Sequence, residues 1–288
     1  MSVPAPFDYH RAQSVDDALS LLQQFGDEAK ILAGGHSLLP AMKLRLAQPE
    51  HIIDIGAIAA LSFIRKDHSK IVIGALTPYT HIERSDLLRK ELPILPETAS
   101  TIGDQQVRNR GTLGGSLAHS DPASDMPGVI MALNGEIVVR SPRAERTITA
   151  DDFFLGTFTT ALEPDEILTE IRFATLPVHT GTAYEKLMNK ASHYAIAGCA
   201  AVITLDSKQQ CKAASITITG AATQTSRATA VEKALVGQKL DTDNIQSAAN
   251  HAADDLELIS DIHGSEDYRR QMAIVVTRRA ITNALKRV

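Results

Sequence analysis

Two glycine-rich turns carry the residues best suited to chemistry. The first, Ala33-Gly34-Gly35-His36-Ser37, follows the apolar pair Ile31 and Leu32. Adjacent glycines at the carboxyl end of a strand let backbone amides approach an anion without Cβ obstruction, so this turn is able to cradle a pyrophosphate. It is neither a GxGxxG fingerprint nor a P-loop with its lysine, and a plain tight turn is an equal reading of it alone. The second, residues 102–125 (IGDQQVRNRGTLGGSLAHSDPASD), sets Gly103, Gly111, Gly114 and Gly115 among Thr112, Ser116, Ser120, Asp121 and Asp125. A long polar stretch inside a core-bearing domain needs partners for its amides and hydroxyls, because each buried unpaired group costs about 1–3 kcal/mol. A bound ligand supplies them; a solvated surface loop is the alternative. Two such turns suit a ligand with a long diphosphate, and a dinucleotide cofactor is the natural candidate.

The elements that hold these turns are readable from periodicity. Ser14 to Phe25 has apolar residues at helical spacing, a serine cap and acids in its first turn. Ile31–Leu32, the glycine turn, Leu38 to Leu46 and then HIIDI make a strand, a connection and a second buried strand. IVIGALTPYTHIERS reads as a strand followed by a helix start, and prolines bound helical pieces in residues 92–101. Residues 134–173 alternate short β-rich runs with turn residues, as antiparallel hairpins do. TLPVHTG (175–181) is the expected boundary between two domains. Beyond it AIAGCAAVITLD and KAASITITGA read as paired strands, and residues 226–237, 242–257 and 266–287 as helices.

The bulk numbers exclude several classes. A formal net charge of -5 with no block of Lys or Arg argues against a nucleic-acid partner. Cys199 and Cys211, the chain's two cysteines, are too few and wrongly spaced for an iron–sulfur cluster or a structural zinc, and are expected as reduced core thiols. The start MSVPAPFDYHRAQS lacks the features of a secretory leader, and no apolar run approaches the roughly 20 residues of a membrane span, which leads to the expectation of a cytoplasmic protein.

AGGHSLLPAMKLRLAQPEHIIDI and TIGDQQVRNRGTLGGSLAHSDPASDMP resemble the two FAD-binding motifs of the medium, flavoprotein subunit of molybdenum hydroxylases, the family of xanthine dehydrogenase and bacterial carbon-monoxide dehydrogenase. The likeness continues in order through DEILTEIRF and YEKLMNKASHYAIAGCAAVI and so covers essentially the whole chain. It implies an α+β chain: a two-subdomain FAD-binding domain of the vanillyl-alcohol-oxidase (PCMH) type over 1–176, with subdomains of about 1–57 and 58–176, then a small sheet-plus-helices C-terminal domain over 177–288. It implies partners as well, a large subunit with the molybdenum cofactor and a small [2Fe-2S] subunit, assembled as a dimer of heterotrimers.

Carried over residue by residue, the resemblance places Leu32, Ala33, Gly34, Gly35, His36, Ser37, Leu38 and Leu39 around the FAD pyrophosphate, with the Gly34 to Ser37 amides as principal donors. Thr112, Gly114, Gly115 and Ser116 match the turn that contacts diphosphate and ribityl chain. Ile102 and Gly103 lie near the isoalloxazine ring, and Asp125 matches a flavin-site carboxylate. Leu168 matches an apolar residue packing on the ring, and Lys186 a lysine reaching it. Alone, Leu168 reads as a core leucine and Lys186 as a solvated strand residue. Asp121 and Asp125, beside Pro122 and Pro127, also suit turns.

His36 is expected to contribute its backbone only. His81, His119 and His193 are scattered and read as satisfied or exposed. Ser192-His193-Tyr194 stands where the family often has an acidic or aromatic pair; Tyr194 either stacks on the flavin or is a half-buried core tyrosine. The implied function is electron transfer from [2Fe-2S] clusters through FAD to an external acceptor, with substrate chemistry on another chain. A self-sufficient FAD-dependent oxidase or dehydrogenase and a scaffold that has lost FAD are the rival readings.

Overall fold

The computed structural model describes residues 3–288; Met1 and Ser2, where the reading of the leader begins, lie outside the described residues. Helix Val15–Phe25 starts where the Ser14 hydroxyl accepts the Asp17 amide, and it buries Ala18, Leu19 and Leu22. That face packs on a three-stranded parallel sheet in which His51–Asp54 lies between Asp8–Arg11 and Ala29–Leu32. Parallel neighbours need a crossover connection, so Ala29–Leu32 must leave the sheet at its carboxyl end. Gly34 and Gly35 turn the chain there into the short helix Leu38–Lys43.

A five-stranded antiparallel sheet follows, in the order Ile64–Asp67, Lys70–Gly74, Ile167–Ala174, Glu136–Arg140, Glu145–Thr149. The strand made last takes the centre, so the core closes only when Ile171 and Phe173 arrive between Ile73 and Ile137. A bulge between Leu168 and Glu170 interrupts the ladder to Glu136–Arg140 and re-aims the start of that strand.

Residues 102–125 are not an open loop. They form helices Gln105–Arg110 and Leu113–His119, whose first turns are capped by the side chains of Asp104 and Thr112. The chain's own caps thus satisfy part of the polar content that had pointed to a ligand. Helix Asp125–Ala132 is buried along its whole length. It lies against a four-stranded antiparallel sheet, Thr180–Met188, Ala195–Leu205, Cys211–Thr219 and Ser226–Arg227. Hydroxyls of that sheet reach the carbonyls of the helix and its lead-in: Ser215 to Ala132, Thr217 to Gly128 and Thr219 to Ser124. Helix Glu266–Leu285 covers the other face.

The chain is α+β. Two expected helices are shorter than their periodicity suggests. Ser226–Arg227 is a strand, and its helix runs Thr229–Leu235. The expected 242–257 helix stops at Ala249, and Asp255 is drawn away to accept the Thr229 hydroxyl and the Ala230 amide. Both cysteines are buried and free, and burial pushes the Cys199 thiol up to about 12.

Candidate cofactor-binding site

The two glycine-rich segments meet. A Cβ on Gly34 would lie 2.1 Å from the Arg110 carbonyl oxygen, so only glycine lets the first turn approach the second. The second is stitched to the chain leaving the central sheet: Gly114 N–H donates to Ala75 (2.8 Å), Leu113 N–H to Thr77 (3.1 Å), and Tyr79 N–H to Gly111 (3.0 Å). A Cβ on Gly114 would come within 2.6 Å of that of Ala75. Between the segments lies a cavity of about 620 Å³, within the range of small-molecule and cofactor sites.

The two segments differ in what they offer. The amides of Leu113, Gly114, Gly115 and Ser116 are all spent inside the chain, on Thr77, Ala75, the Thr112 hydroxyl and the Thr112 carbonyl. Among the described residues no acceptor receives the amides of Gly34, Gly35, His36 or Ser37. Unspent amides in a half-buried concave turn with Gly35 at φ +80° form an anion-binding nest. The second segment therefore contributes shape and hydroxyls, including the Ser116–Ser124 pair at 2.9 Å.

Every residue assigned to the cofactor by resemblance lines this cavity except Leu39 and Lys186. Leu39 is exposed on its short helix, its side chain beside Gly35. Leu168, next to the bulge, is buried in the wall. Tyr194 lines the cavity and is 43% exposed. Asp121 makes a turn, its carboxylate accepting the Ala123 amide. Asp125 is buried at the start of its helix. Tyr184 donates to its Oδ1 and Lys186 to its Oδ2 at 2.8 Å. Burial pushes the Asp125 carboxyl up, and the Lys186 ammonium and the two hydrogen bonds oppose it.

Lys186 had been expected to reach the ligand. It lies behind the wall instead, its side chain 4% exposed, bonded to Asp125, the Thr101 carbonyl (3.0 Å) and the His193 carbonyl (2.8 Å).

Several lining residues escaped the sequence reading. His119 and His193, read as unconnected, both reach the cavity, as do Leu76, Tyr79 and Phe158. Phe158 stands at φ +53° and Ser120 at φ +49°, a conformation costly for a bulky residue. Each holds the other: Phe158 N–H donates to the Ser120 carbonyl and the Ser120 hydroxyl to the Gly156 carbonyl. A residue pattern gives no sign of positive φ at phenylalanine. Leu76 and Tyr79 had a weak signal, since they follow directly on a buried strand in GALTPY.

A family described as the FAD binding domain in molybdopterin dehydrogenase matches residues 5–176, and one described as the CO dehydrogenase flavoprotein C-terminal domain matches residues 182–284. The chain belongs to the FAD-binding subunits of molybdenum hydroxylases. Its cofactor is FAD, and the unspent amides, apolar walls and volume of the cavity fit such a dinucleotide. This flavoprotein is 42% identical to the carbon monoxide dehydrogenase medium chain of Hydrogenophaga pseudoflava, over 99% of each chain. It is 37% identical to the 6-hydroxypseudooxynicotine dehydrogenase complex subunit alpha of Paenarthrobacter nicotinovorans, over 99% of this chain and 96% of that one. A solved structure of carbon monoxide dehydrogenase from Hydrogenophaga pseudoflava superposes with a TM-score of 0.96 at 44% identity, over 99% of each chain.

Proposed function

We propose that this flavoprotein subunit accepts electrons from the [2Fe-2S] clusters of a small partner subunit and delivers them to an external acceptor, while a large molybdenum-cofactor subunit hydroxylates the substrate. The assembly is a dimer of heterotrimers in the cytoplasm, with residues 1–176 as the FAD-binding unit and 177–288 as the C-terminal domain. The observation that carries the reading is the end-to-end likeness to a medium chain, a protein that by its name is one chain of several.

When bound, FAD supplies reversible one- and two-electron chemistry, and the protein supplies binding, orientation and electrostatics. The Gly34, Gly35, His36 and Ser37 amides receive the diphosphate. Thr112, Gly114, Gly115 and Ser116 close the opposite side by shape and hydroxyl contact. Ile102, Gly103 and Leu168 form the apolar bed of the ring system, and Tyr194 covers its open face. Relatives named for carbon monoxide and for 6-hydroxypseudooxynicotine are both similar to this chain over nearly its whole length, which supports placing substrate choice on another subunit.

The test is to purify the chain alone and with its companion subunits and to follow the visible spectrum as candidate substrates are added. The isolated chain is expected to be yellow and to stay yellow with every substrate, and the assembled complex to bleach. Bleaching of the isolated chain by a substrate would make it a self-sufficient oxidase or dehydrogenase and overturn the proposal.

A further inference from the structure

An ammonium group has three N–H donors and no acceptor. At Lys186 every donor has a partner: the Asp125 carboxylate, the Thr101 carbonyl and the His193 carbonyl. These acceptors belong to three different segments, and each segment borders the cavity. Thr101 leads directly into Ile102 and Gly103, where the chain turns at φ +48°. Asp125 is itself part of the wall. His193, at φ +61°, immediately precedes Tyr194.

From these contacts we infer that Lys186 is a positioning residue, a three-way tie through which the C-terminal sheet sets the spacing of the cavity walls that enclose the flavin. Its neighbour two positions back completes the tie, since Tyr184 faces the same way along the strand and occupies the other Asp125 oxygen. The turn that carries Tyr194 is closed internally by Asn189, whose side chain accepts the Ala191 and Ser192 amides and whose backbone exchanges hydrogen bonds with His193 and Tyr194. It therefore moves as a unit, and the His193 carbonyl is the point at which Lys186 holds that unit to the Thr101 and Asp125 segments. The FAD-binding region is thus completed by a side chain from outside it. This inference takes FAD as the cavity's ligand and is independent of the electron route proposed above.

Removing Lys186 alone would strand a buried carboxylate and destabilise the fold for reasons unrelated to positioning. The informative variants are the double variant Lys186→Met with Asp125→Asn, which deletes both charges, and Lys186→Arg, which keeps the charge but replaces three divergent donors by a planar fork. Hydrogen exchange is measured on the full chain without FAD, and FAD affinity by flavin fluorescence. In both variants the amides of residues 102–104 and 191–194 are expected to exchange about ten-fold faster while the central strand Ile167–Ala174 keeps its protection. The FAD dissociation constant is expected to rise about ten-fold, equivalent to about 1.4 kcal/mol. Wild-type exchange in those two segments in either folded variant, or wild-type FAD affinity in Lys186→Arg, would overturn the inference. Because exchange is read without FAD, its outcome is separate from any result on electron transfer.

Discussion

Gly34 and Arg110 touch through their backbones, and a single added methyl would bring carbon and oxygen to 2.1 Å. Through this contact the unspent amides after Gly34 are held opposite the hydroxyls of the second glycine-rich segment. Gly34→Ala is therefore expected to force the two segments apart, at about 1–3 kcal/mol of stability, and to abolish FAD uptake. Gly237→Ala is the control: Gly237 has φ +81° and open space around it, so it should lose about 1 kcal/mol through backbone strain alone. Thermal unfolding and FAD titration of both variants check the contrast.

Arg269 is buried in the C-terminal domain, donating to the Ile196 and Gly220 carbonyls and to Asp261. Arg269→Met leaves these acceptors without their donor and should cost about 3–5 kcal/mol. None of the groups it holds lines the cavity, so the folded fraction should bind FAD as wild type does. Urea unfolding followed by FAD titration below the midpoint separates the two effects.

Glu166 lines the cavity rim and receives a two-point hydrogen bond from Arg146, which holds its carboxyl below the ordinary value of 4.5. A carboxylate depressed in the folded state adds stability above its unfolded value, and that stability is lost as pH falls through the folded value. Wild type should therefore lose stability on acidification below about pH 4.5. Glu166→Gln should remove this component, less than about 1 kcal/mol at neutral pH because the Arg146 partner is half exposed. Denaturant midpoints measured from neutral pH into the acid range decide it.

Tyr194 is 43% exposed, so Tyr194→Ala should change stability by no more than about 0.5 kcal/mol. If its ring covers the flavin, bound-flavin fluorescence should rise and the visible bands shift in the same variant. A spectrum identical to wild type would remove Tyr194 from the flavin face.

The strongly patterned parts of the chain were legible. The Ser14 cap with its apolar stripe, the Ile31–Leu32 strand and the antiparallel hairpins after residue 134 follow from period and turn chemistry. Helices Gln105–Arg110 and Leu113–His119 were hidden because each is too short and too polar to show a stripe, and glycines sit inside the second. The available signal was the pair of caps, Asp104 three residues before Val107 and Thr112 three before Gly115. The buried cations were hidden for a different reason. Lys186 and Arg269 look solvated in sequence, and only the fold shows the carbonyls that converge on them. Tyr184 and Lys186 did share one legible clue, the two-residue spacing that puts both on one face of a strand.

That spacing has a consequence for how this chain tolerates changes of length. Tyr184 stands opposite Ala200 and Lys186 opposite Gly198, where a larger residue would collide with the Tyr184 hydroxyl. Deleting one residue early in Thr180–Met188 shifts the pairing by one step and turns both side chains to the opposite face, away from Asp125. One codon lost there would take two partners from Asp125 at once. The exposed turn at residues 206–209, which joins Ala195–Leu205 to its other neighbour Cys211–Thr219, is where added residues would leave that phase intact.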